Sequence, residues 1–204
     1  MMDDIFQIEI AQGWFVNYIN NLILADEGDR QQLIDRTIYV LRKLEEHNLY
    51  IKPEKCEFLV SRVSVLGFVI DNGTVSMEPQ KVSGIAEWPP PENVSQLRSF
   101  AGFCNFYHRF IDHYADKCEP LNELLKKEEP WEWTDHRHAA FEKLKAAYIS
   151  SPVLLIPDPT KPFKIKADAS LYTSGAVLIQ DDTNGDQHPV AYHCIPRSEP
   201  GLAI

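Results

Sequence analysis

Long apolar runs are missing from this 204-residue sequence: the longest, such as Val65 to Ile70, reach about six residues. A membrane-spanning helix needs roughly 20, so a soluble chain is expected. The opening residues Met1-Met2-Asp3-Asp4 carry neither basic groups nor an apolar core, so no secretory signal is read there, and the expected location is intracellular, cytoplasmic or nuclear. Cysteine is scarce. Cys56, Cys104, Cys118 and Cys194 include no C-x-x-C pair, which argues against a disulfide framework or a paired-thiol zinc site. His136 with His138, and His188 with His193 and Cys194, come nearest to a metal pattern and read as exposed histidines. Positive charge is also short: 20 basic side chains face 30 acidic ones, a net charge of −10. Such a balance opposes tight nucleic-acid binding by the chain as a whole, because phosphates must be neutralised by cations. The deficit is uneven, however: residues 1–50 hold 4 basic and 9 acidic groups, whereas residues 51–110 hold 6 of each. Any nucleic-acid contact is therefore expected in the middle.

What is present is enough for one or two cores, with 44% hydrophobic and 25% charged residues. Trp14 to Leu24 places short apolar runs on either side of Asn20-Asn21, the pattern of a tight hairpin. From Arg30 to His47, Leu33, Ile34, Ile38, Val40, Leu41 and Leu44 recur at helical spacing. Cys56, Phe58 and Val60 alternate with polar neighbours, and a run from Val63 to Ile70 leads through Asn72-Gly73 into Thr74 to Met77, predicting a second hairpin. A short helix from Pro79 to Glu87 must stop at Pro89-Pro90-Pro91, read as a stiff hinge. Asn93 and Gln96 form a capping-box pattern before Leu97, Phe100, Ala101, Cys104, Tyr107 and Ile111, which share a helical face. Further helices are predicted from Tyr114 to Lys127 and after Thr134. Alternation then replaces helical spacing, predicting strands at Val153 to Ile156, Phe163 to Ser170, Gly175 to Gln180 and Pro189 to His193, with an aperiodic tail from Cys194 to Ile204.

Ordered blocks within these elements resemble the pol polyprotein of gypsy-type long-terminal-repeat retrotransposons. They include Leu49 to Phe58, Leu66-Gly67-Phe68-Val69-Ile70, Glu87-Trp88-Pro89-Pro90-Pro91 and Leu97 to Ile111. Pro130-Trp131-Glu132-Trp133-Thr134, Ser151-Pro152-Val153-Leu154 and Lys166-Ala167-Asp168-Ala169-Ser170 continue the series. The resemblance implies an α+β chain: the end of a reverse-transcriptase palm over residues 1–77, a helical thumb and connection over 78–150, and a truncated RNase H-like antiparallel sheet over 151–204. It further implies that the fingers and another metal-binding palm strand belong upstream of Met1. The partners implied are an RNA/DNA hybrid or DNA, and the cofactor is Mg²⁺.

The family's polymerase signature is Tyr-x-Asp-Asp, and the matching positions are Tyr18, Ile19, Asn20 and Asn21. Nucleotidyl transfer uses two hard cations held by anionic oxygens, and an Asn carbonyl is neutral. The expectation is an inactive polymerase with no metal bound. For RNase H, the resemblance places the first metal-binding carboxylate at Asp168, on a strand where Phe163, Ile165 and Ala167 face one way and Lys164, Lys166 and Asp168 the other. Alone, Asp168 reads as an edge-strand carboxylate. Two alternatives stay open: a metal-dependent nuclease that joins Asp168 with Asp181, Asp182 and Asp186, and a co-opted module that binds nucleic acid or a partner. In the second, Phe103, Phe106, Tyr107 and Phe110 are candidate stacking groups, although the spacing of Phe103, Phe106 and Phe110 favours core packing.

Overall fold

A computed structural model describes residues 2–25, 30–169, 173–182 and 184–196, and the chain divides into two compact units, Met1–Ser61 and Arg62–Ile204. Helices and antiparallel sheets alternate along both, so the fold class is α+β.

The first unit consists of short helices α1 (Met2–Ile5) and α2 (Gln7–Ala11), a hairpin of β1 (Phe15–Tyr18) and β2 (Asn21–Leu24), and helix α3 (Arg30–Glu46). Its core is small. Phe6, Phe15, Val40 and Leu44 fill it, and Phe6 stacks on Phe15 with ring centroids 4.4 Å apart. Ile38, expected on the apolar face of α3, is 44% exposed. Glu9 is buried in this unit and accepts hydrogen bonds from the Tyr39 hydroxyl at 2.6 Å and the Lys43 ammonium at 2.5 Å. Burial opposes ionisation of Glu9, but these two donors outweigh it and hold the carboxyl below its usual pKa. No strand forms between Cys56 and Val60, and Phe58 and Val60 are each about half exposed. Alternation there reflects composition, since no neighbouring strand offers a ladder.

The second unit opens with β3 (Arg62–Val65), β4 (Phe68–Asp71) and β5 (Thr74–Met77). The predicted Asn72-Gly73 turn is present with φ of +46° and +77°, as a primed turn requires. The run expected from Val63 to Ile70 is instead broken by a second turn of the same kind at Leu66-Gly67, with φ of +53° and +83°. Leucine is a poor residue for positive φ, and its hydrophobicity hides the turn. The conformation is held by the β3–β4 ladder and by the Tyr107 hydroxyl, which donates to the Gly67 carbonyl at 3.2 Å.

Helix α4 (Pro79–Ala86) precedes the triple proline, and α5 (Val94–Phe106) follows it. The N-cap half of the box forms, with Asn93 Oδ1 accepting from the Gln96 amide at 2.9 Å, while Gln96 Oε1 reaches one residue past the cap and accepts from the Glu92 amide at 2.8 Å. α5 does not run to Ile111: it ends at Phe106 and tightens into a 3₁₀ turn at His108–Phe110. Helices α6 (Tyr114–Glu123) and α7 (Asp135–Ile149, capped by Thr134) complete the helical layer, α6 ending short of the predicted Lys127. Leu97, Phe100, Cys104, Tyr107 and Ile111 are buried as their spacing predicts. Phe100 packs on Trp88 and, at 4.6 Å, on Phe141 of α7.

Strand β6 (Leu154–Leu155) does not join the C-terminal sheet, as its sequence position had implied. It pairs with β5, extending the order to β3-β4-β5-β6. The C-terminal sheet is β7 (Lys164–Ala169), β8 (Thr173–Asp181) and β9 (Gln187–Pro196), in that order. Cys194, assigned by sequence to an aperiodic tail, lies within β9 opposite Gly175. Residues 197–204 of that predicted tail, and Ser170 of the predicted strand, lie outside the described residues.

Candidate nucleic-acid interface

The first predicted site is the β1–β2 tip. Tyr18 and Asn21 are ladder partners, so the two-residue turn is Ile19-Asn20, and Asn21 belongs to the strand. Ile19 adopts φ of +57° and is 78% exposed. Asn20 and Asn21 are also exposed. The tip therefore offers two neutral amides, Asn20 and Asn21, to solvent.

The second is Asp168, exposed on β7 directly opposite Gly175. Cross-strand partners share a face. On that face, the His113 ring lies 3.1 Å from where a Cβ on Gly175 would stand. His113 Nδ1 is 3.3 Å from Asp116 and Nε2 is 3.7 Å from Asp112, so these carboxylates flank opposite ring edges and do not converge. The other acidic candidates are engaged elsewhere. Asp181 pairs with Lys164 at 2.7 Å. Asp182 accepts from the backbone amides of Asn184 and Asp186 and lies 3.1 Å from His188 Nε2. The Asn184 and Asp186 amides, with His188, hold the Asp182 carboxyl below its ordinary pKa against partial desolvation. Asp181 stands six residues beyond Gly175 along β8, which is about 20 Å at the usual strand rise. Asp168 and Asp181 cannot share a metal ion across that distance. Among the described residues, no three His, Cys, Asp or Glu groups are placed to hold a metal, so the residues around Asp168 do not by themselves fit a two-Mg²⁺ centre. Phe163, which precedes β7, and Ile165, on the other face of this edge strand, are 43% and 70% exposed.

The third group is aromatic. Phe110 is fully buried, Phe68 stacks on it at 5.9 Å, and Phe106 stacks on Phe68 at 5.3 Å, with interplanar angles of 23° and 24°. Tyr107 stands edge-on to both Phe68 and Phe106. The column runs from the core to the surface, where Phe106 is 51% exposed. There it borders a cavity of about 330 Å³ lined by Leu66, Gly67, Lys81, Phe103, Phe106 and Tyr107. Burial, with a smaller contribution from the Glu78 carboxylate, pushes the Tyr107 phenol pKa up, so it remains a neutral donor to Gly67. Buried thiols contribute nothing reactive here: burial pushes Cys118 up to about 11, and Cys104 is raised further.

Of the sequence-predicted stacking residues, the structure brings Phe103, Phe106 and Tyr107 to one cavity and sends Phe110 to the core. Helical spacing had assigned Phe106 to the core. The assignment fails because Phe106, still within α5, lies about two and a half turns from Leu97 and so points away from the face that Leu97, Phe100 and Cys104 bury. Phe68, Gly67 and Lys81 were not anticipated as partners, and no local signal in the sequence links them to Phe106.

In fold, the chain resembles reverse transcriptases. It superposes on a foamy viral protease-reverse transcriptase solved in complex with an RNA/DNA hybrid, with a TM-score of 0.81 at 21% identity, over 97% of this chain and 27% of that one. A second foamy viral structure, solved with double-stranded DNA, gives 0.80 at 20% identity, over 95% and 33%. Residues 133–198 match the family model for the RNase H-like domain found in reverse transcriptase. The Pol polyprotein of Drosophila melanogaster transposon 412 is 38% identical over 185 residues, and that of transposon opus is 34% identical over 203. The Tf2-7 polyprotein of Schizosaccharomyces pombe is 31% identical over 194 residues. These alignments cover 91%, 94% and 95% of this chain, respectively. The chain belongs to the reverse transcriptase and RNase H-like region of retrotransposon Pol polyproteins. It spans 15%, 20% and 14% of the length of these three relatives. Among the described residues, no helix is long and apolar enough to cross a membrane.

Proposed function

We propose that this chain is a gypsy-type reverse transcriptase and RNase H region whose polymerase chemistry is silent and whose remaining role is contact with nucleic acid. On this reading residues 1–77 are the palm end, 78–150 the thumb and connection, and 151–204 the RNase H-like part. The observation that carries it is the pair of amides at the hairpin tip, Asn20 and Asn21. Two Mg²⁺ ions held close together repel each other strongly, and anionic ligands are what make that arrangement stable. Neutral amides supply no such compensation.

RNase H chemistry is silent on the same reading, since the Asp181 and Asp182 carboxylates are committed away from Asp168. The nucleic-acid role is supported by the aromatic column that ends at the surface beside Lys81, and by the nucleic acids bound in the foamy viral neighbours. With a net charge of −10, binding is weak and confined to low salt.

Four measurements test the reading. Primer extension with Mg²⁺ or Mn²⁺ is expected to yield no product, and Mn²⁺ is expected to broaden the NMR signals of the hairpin tip only in the Asn20→Asp/Asn21→Asp variant. RNA/DNA hybrids are expected to stay intact; cleavage by the wild type that vanishes in Asp168→Asn would instead establish the nuclease. Gel-shift titrations are expected to show a complex at low salt that dissociates as salt rises, and absence of any complex would remove the binding role.

A further inference from the structure

We infer that the cavity beside Phe106 is a stacking site for a single unpaired nucleobase, with Phe106 as the platform and Lys81 placed for the adjoining phosphate. This rests on the reading that the chain contacts nucleic acid, and it specifies the form of nucleic acid the chain selects.

Phe110, Phe68 and Phe106 form one stacked column. Two of its rings are fixed by packing and the third is half-exposed. An aromatic ring that ends a stack at the surface is already immobilised, so a planar ligand that adds the next layer orders little new protein. Phe106 is held on one side by Phe68 and along its edge by Tyr107. The neighbouring space, about 330 Å³, lies within the usual size range of small-ligand sites. It is therefore sized for a base, and a double helix cannot enter it. A paired base is stacked on both faces and occupied along its pairing edge, so it reaches Phe106 only after leaving the duplex. An overhang or single strand offers its base without that cost.

The charges agree with a short contact. Lys81 brings its Cε to 3.7 Å from the position a Gly67 Cβ would take, at the wall of the cavity. Lys81 and the Tyr107 hydroxyl both stand within 4 Å of that position, so Lys81 is the cation that a phosphate beside the stacked base would meet. The cavity also reads base identity poorly. The Tyr107 hydroxyl already donates to the Gly67 carbonyl, and Phe103, Phe106 and Leu66 present only apolar surface. Stacking without edge recognition is tolerant of sequence.

The test uses the full chain at low salt and a short duplex carrying an unpaired 2-aminopurine overhang, in deoxyribose and ribose versions, beside the same duplex with blunt ends. Tighter binding of the overhang, with a change in 2-aminopurine fluorescence on binding, is expected for both sugars. Phe106→Leu keeps the apolar contact with Phe68 but removes the ring face. It is expected to weaken overhang binding at least about fivefold, the lower end of what base stacking contributes, and to leave blunt-duplex binding unchanged. Phe106→Trp is expected to tighten overhang binding. Lys81→Gln is expected to lower the slope of log affinity against log salt by about one. An unchanged urea midpoint certifies the fold of each variant. Equal affinity for overhang and blunt ends overturns the inference while leaving the nucleic-acid role in place. An effect of Phe106→Leu on both probes alike does the same. No effect of Phe106→Leu on either probe also overturns it. Failure of the wild type to bind either probe overturns the underlying reading and the inference with it.

Discussion

Replacing Gly67 with alanine tests whether the Leu66-Gly67 turn is locked to helix α5 through a single oxygen atom. A Cβ at residue 67 would stand 2.3 Å from the Tyr107 hydroxyl oxygen but 3.5 Å from its Cζ. The phenol has little freedom to retreat, since Tyr107 is only 3% exposed and packs on Phe68, Phe103 and Phe106 at 5.3, 5.0 and 4.8 Å. The φ of +83° adds a separate cost of about 1 to 2 kcal/mol for any L side chain. Displacing the phenol also forfeits its hydrogen bond to the Gly67 carbonyl, about 1 kcal/mol. Gly67→Ala is therefore expected to destabilise the unit by about 2 to 3 kcal/mol. Tyr107→Phe removes the clashing atom and the hydrogen bond together, and alone costs about 1 kcal/mol. In the Tyr107→Phe background, Gly67→Ala should then cost only the φ term, so the two changes fall short of additivity by about 1 kcal/mol or more. Urea unfolding followed by the fluorescence of Trp88, Trp131 and Trp133 gives all four corners of the cycle. Strictly additive costs would refute the argument, because they would mean that residue 67 and the phenol do not meet.

Phe100 is fully buried against Trp88 and Phe141, so Phe100→Ala should cost about 3 to 5 kcal/mol. An unchanged urea midpoint would show that this face is not core. In the first unit, Glu9 has a depressed pKa and Lys43 a raised one despite burial. The Glu9 contribution is present above the ordinary carboxylate pKa and lost as pH falls through the depressed value; that of Lys43 is present below the ordinary ammonium pKa and lost as pH rises through the raised one. Stability of this unit, monitored by Trp14 fluorescence, should fall at both extremes in the wild type, and the acid-side loss should shrink in Glu9→Gln. A Glu9→Gln profile identical to wild type would show that the pair carries no pH-dependent stability.

Much of this molecule was legible in residue order because the signals involved are local. The spacing of Leu97, Phe100, Cys104 and Tyr107 is a property of one helix, the Asn93 and Gln96 box acts across three residues, and Asn72-Gly73 demands positive φ wherever it occurs. The neutrality of Asn20 and Asn21 is likewise read directly, since the charge of a side chain needs no fold to be known. Other features depended on partners distant in sequence. Leu66-Gly67 is a turn because Tyr107, forty residues on, bonds to it; its own residues look like strand. Leu154-Leu155 joins the β5 edge because that edge is the one left open beside it, a choice that alternation cannot encode. Asp168 is separated from Asp181 by the register of β7 on β8, although only thirteen residues part them in the chain. Phe106 lies on the side of α5 away from Leu97, Phe100 and Cys104, and only tertiary packing sets Phe68 beneath it and Lys81 at the rim. Periodicity describes which face of an element is apolar; the folded chain decides which of those faces meets protein and which is left for a ligand.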